Sequence, residues 1–179
     1  MKEHTATNSM LAAIALLAYS CTETISGCKI EPETICPNVD LPGADLSRAS
    51  LNSANLSGAN LSGANVSEAN LSGADLRNAN LANANLRDSN LRDTNFRGAN
   101  LGGANLQKAS LSRADLREAD LRGTNLTLVK NLAEADLKEA QYDSQTRWPR
   151  LSGADASGAT RSAMFDPMAA GAVLVEDDD

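Results

Sequence analysis

A leucine returns at every fifth position from Leu41 to Leu126, replaced only by Val66 and Phe96, and this spacing narrows the possible folds severely. Residues five apart on an α-helix are rotated by about 140°, so such leucines would be scattered around the cylinder. On a β-strand, side chains alternate sides, so successive leucines would face opposite ways. Neither element buries all of them together. The chain must bend once per repeat, bringing each leucine inward before turning away. The intervening residues suit that task, since Asn, Asp, Ser and Gly bond to nearby backbone and tolerate turn geometry.

The unit reads Ala-(Asn/Asp)-Leu-x-x. Eighteen units run without a gap through residues 39–128, and after one extra residue, at 129, three more are centred on Leu132, Leu137 and Tyr142. Self-similarity at a fixed short period marks a solenoid, in which each unit stacks on the next and does not fold alone. Disorder gives no reason for an apolar residue at every centre. A coiled coil needs a period of about 3.5, and apolar residues never run for the roughly 20 positions of a spanning helix.

The run ANLSGANLSGANVSEANLSGADLRNANL resembles the pentapeptide-repeat family, and the likeness covers about 105 of the 179 residues. The resemblance implies an all-β fold, a right-handed, four-sided (quadrilateral) parallel β-helix with capped ends, one pentapeptide per side and four per turn. It also implies that the central residue and the one two before it point inward. On this chain that set is Leu46, Leu51, Leu56, Leu61, Val66 and Leu71 onward, partnered by Ala44, Ala49, Ala54 and Ala59. Val39, Ser89, Thr94 and Thr124 depart from alanine at the inner position. Each buried leucine contributes roughly 1.5–3 kcal/mol before entropy is subtracted. With coils about 4.8 Å apart, the repeats build a rod on the order of 25 Å tall, filled and without a lumen.

The ends of such a rod expose unpaired backbone and need covering. Residues 21–38 are non-repetitive and form the expected N-terminal cap, and residues 145–179 the C-terminal cap and acidic tail. From Tyr142 the chain reads YDSQTRWP, then LSGADASGAT, which reads as two degenerate repeats, and then MFDPMAAGAVLVEDDD. YDSQTRWP and FDPMAAGAVLV together resemble the closing segment of exported or cyanobacterium-type members of the family, although here a long insert separates them. Trp148 reads as a hydrophobic lid in preference to a ligand-stacking side chain.

Residues 1–20 are a different material. MLAAIALLAY, residues 10–19, is too short to span a bilayer but suits a signal-peptide core, with small residues at Ala18 and Ser20 before a cleavage point. The region before it carries Lys2 and Glu3, without the expected excess of positive charge. Two readings stand side by side: a cleaved export signal, and a buried cap helix. Cleavage after Ser20 would leave Cys21 first and open a lipidation reading, against which stands Ala18 where leucine is usual. With Cys21 set aside, Cys28 and Cys36 form an even pair that would clasp the N-terminal cap in an oxidising compartment, contributing about 2–3 kcal/mol. A structural disulfide is preferred to a metal site, because no His or further Cys completes a tetrahedral set.

The single histidine, His4, would leave with a signal peptide, taking with it the commonest acid–base and its usual nucleophile pairing. Paired carboxylates such as Asp115 and Asp120 lie at an outward repeat position with no cleft to shift a pKa. No phosphate loop, zinc pattern or calcium loop occurs. The expectation is a chain that is not an enzyme and holds no cofactor or metal.

Charge supplies the rival function. Some pentapeptide-repeat proteins are acidic rods that imitate DNA and occupy a type II topoisomerase, and this chain carries net charge −7. Residues 39–144, however, hold 13 acidic and 11 basic side chains, leaving −2, while Glu176-Asp177-Asp178-Asp179 alone supplies −4. A phosphate mimic needs a dense acidic stripe, and Arg87/Asp88 and Arg92/Asp93 read as mixed surface pairs. With four repeats per coil, residues twenty apart stack. One face then carries Pro42, Gly43, Ser62, Gly63, Ala82, Asn83, Gly102, Gly103 and Gly123, flat and nearly uncharged apart from Arg122. Gly43, Gly63, Asn83, Gly103 and Gly123 mark the candidate interaction face. Arg77, Arg97 and Arg117 would form a basic column, an alignment that chance also produces. The favoured expectation is a scaffold or protein-interaction module with an unidentified protein partner and weak self-association. It would be exported to the periplasm or thylakoid lumen, bind no nucleic acid, and touch a membrane only if Cys21 is lipidated. The alternative is the cytoplasmic DNA mimic.

Overall fold

The computed structural model describes residues 24–25, 27–154, 160–164 and 166–175. Its main body is a coil held by parallel bridges between residues twenty apart, such as Asn60↔Asn80, Asn65↔Asn85, Asn70↔Asn90 and Asp75↔Asn95. Four pentapeptides therefore close one circuit, giving four sides. Rungs are joined by backbone bonds at a constant offset, as where Leu61 N–H donates to Asn80 O (2.7 Å) and Asn80 N–H to Ala59 O (2.8 Å).

Each corner is a four-residue turn closed on the leucine carbonyl: Ala54 N–H donates to Leu51 O and Ala59 N–H to Leu56 O, at 3.1 and 3.0 Å. The third residue of the turn takes a left-handed conformation, the mark of a type II turn. Glycine fills it at Gly58, Gly63 and Gly73, with φ of 65–69°, but Arg48, Glu68, Arg113 and Leu128 also adopt the left-handed region, with φ of 56–60°. The asparagine or aspartate before each leucine caps the following turn; the Ser62 amide, for instance, donates to Asn60 Oδ1 at 3.2 Å. Where this residue is asparagine, its amide group then reaches the next rung, as Asn60 Nδ2 does to Asp40 Oδ1 at 2.7 Å. The capping bond suits Asn and Asp alike, and the rung-to-rung bond is one that only Asn donates.

The interior agrees with the inward set expected from the repeat. The leucines from Leu41 to Leu126, Val66, Phe96 and the alanines two before them form one continuous buried core. Alanine leaves room for one large side chain per side, and the polar exceptions are internally satisfied. Thr94 Oγ1 donates to Leu71 O and Thr124 Oγ1 to Leu101 O, both at 2.8 Å, and Ser89 Oγ to Leu86 O at 2.6 Å.

The register departs from the sequence expectation in four places. The coil starts before residue 39, because Ile35 already bridges Asn55 and the Cys36 amide donates to Asn55 O at 2.9 Å. Thr34 and Cys36 occupy the alanine and leucine slots of this coil, so the absence of leucine hid it. The extra residue does not fall at 129. Lys130 keeps the register with Ser110, and the slip comes between Lys130 and Asp136, which pairs with Asp115. Left-handed Asn131 and a 3-10 helix, Leu132–Glu134, absorb it there, and Leu132 still reaches the core. A second slip precedes Arg147, which bridges Asn125. Finally, the stretch read as degenerate repeats opens as an antiparallel hairpin, β4 (Arg150–Ala154) with β5 (Thr160–Met164). Its second unit would centre on Ala156, too small to fill the tube.

At the N-terminal end β1 (Thr24–Ile25) pairs antiparallel with β2 (Cys28–Lys29). At the other end β3 (Gln141–Tyr142) receives β6 (Val173–Leu174) as a parallel last rung. Trp148 packs edge-on against Tyr142, with ring centroids 5.4 Å apart, and borders the core as a lid.

Two substitutions probe this construction by urea denaturation. Leu91→Ala, at a fully buried rung, is expected to cost about 2–5 kcal/mol; a loss below about 1 kcal/mol would contradict a filled interior. Leu128→Gly removes a side chain from a left-handed residue and is expected to stabilise the fold by up to about 1 kcal/mol, whereas destabilisation would contradict the turn assignment.

Candidate interaction surfaces

A filled coil offers its outside. The side running through Asp40, Asn60, Asn80, Asn100 and Asp120 is built from a stacked ladder, each residue bridging the next. The side chains of this ladder turn back to cap the Ser62, Ala82, Gly102 and Arg122 amides at 3.0–3.2 Å. Their polarity is thus largely spent within the coil, leaving a level surface. Gly43, Gly63, Asn83, Gly103 and Gly123 stack along its corner as the sequence expects, with the Gly43, Gly63, Asn83 and Gly103 amides donating to the next rung at 2.8–2.9 Å. A Cβ at Gly103 would lie 2.5 Å from Asn83 Oδ1, so a larger residue there would have to turn the Asn83 side chain aside. At the bottom the Gly123 amide finds Asp143 Oδ1 at 2.8 Å in place of a next-rung carbonyl. This substitute role of Asp143 was invisible in the sequence, where it occupies an ordinary turn position.

The structure also stacks Arg77, Arg97 and Arg117, but not as a bare basic column. Arg77 grips Asp75 and Arg117 grips Asp115, each at 2.6 Å, and Arg97 holds Glu118 at 2.6 Å. Lys138 continues the column, since the Glu118 amide donates to its carbonyl at 3.1 Å; the one-residue slip concealed it from a strict count of twenty. This side is a ladder of ion pairs of both signs. Arg87–Asp88 and Arg92–Asp93, at 3.0 and 3.2 Å, confirm the mixed pairs expected elsewhere.

At the N-terminal end the sulfurs of Cys28 and Cys36 lie 2.12 Å apart, at bonding distance. They border a shallow hollow of about 290 Å³ lined also by Gly27, Ile35, Pro37 and Val39. Cys21 lies outside the described residues, as do His4 and the 10–19 run. Among the described residues no group of His, Cys, Asp and Glu is placed to hold a metal ion, and no helix is long and apolar enough to cross a membrane.

The ion pairs leave a pH signature. Asp75, Asp115 and Asp120 are held below the usual carboxylate range, chiefly by hydrogen bonds from Arg77, Arg117 and Arg122, against the opposing effect of burial. Asp93 is lowered chiefly by Arg113. A carboxylate depressed on folding stabilises the fold above its unfolded pKa and loses that contribution as pH falls through the folded value. The urea midpoint is therefore expected to stay level from about pH 5 to 8 and to fall below about pH 4. The drop should be modest because the pairs are largely exposed. An unchanged midpoint at about pH 2.5 would contradict this account.

The family model for pentapeptide repeats matches in eight copies, over residues 36–67, 54–93, 67–103 and 94–130, together more than half of the chain. Among solved structures the chain is similar to HetL, a pentapeptide repeat protein involved in heterocyst differentiation regulation from the cyanobacterium Nostoc sp. strain PCC 7120. The identity is 31%, over 69% of this chain and 61% of that one, with a TM-score of 0.56. The chain thus spans about three fifths of the length of HetL. It is also similar to alr5209, a pentapeptide repeat protein from Nostoc PCC 7120 (34% identity, 73% and 84% covered, TM-score 0.28). A third similar structure is AT2G44920, a pentapeptide repeat protein from the Arabidopsis thaliana thylakoid lumen (26% identity, 50% and 66% covered, TM-score 0.42). No curated protein matches. With its twenty-residue register, filled core and capped turns, the chain belongs to the pentapeptide-repeat family.

Proposed function

We propose that this protein is a non-enzymatic scaffold that presents the flat side of a right-handed, four-sided coil to a protein partner. The observation that carries this reading is the continuous buried interior. Leucine and alanine fill the coil, so whatever the protein recognises meets its outer sides, and the side from Asp40 to Asp120 has its polar groups satisfied within the coil. A surface of that kind loses little solvation when covered, which favours a shape-matched contact. The sides with ion pairs along their length, unlike the single Asp120–Arg122 pair at the lower end of the flat side, have the opposite character and stay solvated.

The topoisomerase-mimic reading finds less support. Its acidic stripe would have to be continuous, whereas the rod's carboxylates along the Arg77 column are matched by cations at 2.6 Å. Export to the periplasm or thylakoid lumen fits a bond between Cys28 and Cys36, which persists in an oxidising compartment, and fits the apolar run at residues 10–19.

Ala82→Arg and Ser62→Arg test the face without disturbing the left-handed corner residues. Cross-linking in the native compartment is expected to recover a partner with the unaltered protein and to lose it with these variants. Equal recovery with both would sink the flat-face reading. Intact mass of the native protein tests export: loss of residues 1–20 is expected, and a full-length chain with free thiols at 28 and 36 would overturn it.

A further inference from the structure

Charge pairing is close to complete along this rod, and its exceptions lie together. Apart from Lys108, Lys130 and Arg147, every Lys or Arg whose side chain is described lies within 4.0 Å of a carboxylate. All three lie near Leu128 in the backbone register. The Lys108 amide donates to Thr127 O, beside Leu128, at 3.3 Å, and the Leu126 amide donates to Arg147 O at 2.8 Å. Lys130 follows two residues later, its amide donating to Ala109 O at 2.9 Å, next to Lys108. Asp88, one coil above Lys108 on the same corner, is taken by Arg87 at 3.0 Å.

Leu128 at the centre is 62% exposed and holds a left-handed φ of 60°. Corresponding corner positions above it are polar or charged: Arg48, Glu68, Asp88 and Lys108. A leucine this exposed gains little from folding, and in this conformation a side chain carries a strain that glycine avoids. An exposed apolar side chain with three cations near it in the backbone register, none of them ion-paired among the described residues, is complementary to a short segment carrying the reverse pattern.

We infer that the corner formed by Lys108, Leu128, Lys130 and Arg147 docks an acidic polypeptide segment that bears an aliphatic residue. The carboxylates pair with the three cations while the aliphatic side chain covers Leu128. The remainder of the rod disfavours a long polyanion: residues 39–144 carry −2 and the whole chain −7, so nucleic acid would be repelled along its length. A segment with a few carboxylates at one corner meets little of that repulsion. This surface lies apart from the flat side and does not depend on it.

The test is fluorescence anisotropy at low salt with a labelled peptide, acetyl-Glu-Asp-Leu-Glu-Asp. Lys130→Glu and Arg147→Glu are each expected to weaken binding by about fivefold, the upper range for one exposed ion pair. Leu128→Gly should weaken binding while raising the urea midpoint, a combination that damage to the fold does not produce. Arg48→Ala and Ala82→Arg should leave binding unchanged, which separates this corner from the flat face. No binding by the unaltered protein, or equal binding by the charge-reversed variants, would overturn the inference. So would tighter binding of a DNA oligonucleotide with the same residue dependence. Tighter peptide binding by a chain ending at Val175 would assign the corner to the protein's own acidic tail and overturn an external partner.

Discussion

The turn that closes each leucine carbonyl onto the following alanine amide is the constraint on which the rest depends. It bends the chain once every five residues, and four such bends return it over itself one rung higher. Only then do leucines from all sides meet in one interior. The turn requires a left-handed residue at its third position, and the sequence meets that requirement unevenly. Glycine supplies it at Gly58, Gly63 and Gly73, while Arg48, Glu68, Arg113 and others adopt it as L-residues. Strain at those corners is offset by ladder bonds above and below each rung and by leucine burial. Stability in such a coil is therefore a property of neighbours, as expected for stacked repeats.

Asparagine links this local geometry to the surface. Its carbonyl oxygen caps its own turn and its amide reaches the adjacent rung, as at Asn80, which caps Ala82 and donates to Asn60 at 3.3 Å. A side chain used twice within the coil has little left to offer solvent. Where turn residues are also small, the result is the flat side from Asp40 to Asp120. Where they are Arg, Asp and Glu, as around Arg77 and Arg117, the result is a solvated ionic ladder. One backbone thus yields sides of different character, set by the two residues after each leucine.

Much of this was legible in the five-residue period. The inward set, the stacking of positions twenty apart and the filled interior follow from spacing and side-chain volume together with the family likeness. The register changes were not legible, because they depend on backbone bonds. Lys130 looks like the start of a shifted repeat, yet it bonds in register and the slip follows in the 3-10 turn. Thr34 and Cys36 fill inner slots without resembling the repeat, and Leu151 resembles it while standing in a hairpin. The ion pairs that neutralise Arg77, Arg97 and Arg117 were likewise hidden, since their partners lie two residues back or one coil away.

The claim beneath every functional statement is that residues twenty apart are neighbours around a filled, four-sided coil. Nuclear Overhauser contacts in the isotope-labelled protein test it most directly. Cross-peaks are predicted between Asn60 and Asn80 and between Asn95 and Asp115, changing to a separation of twenty-one at Asp115 and Asp136. Contacts confined to sequence neighbours, or a constant spacing carried through residue 136, would contradict the account.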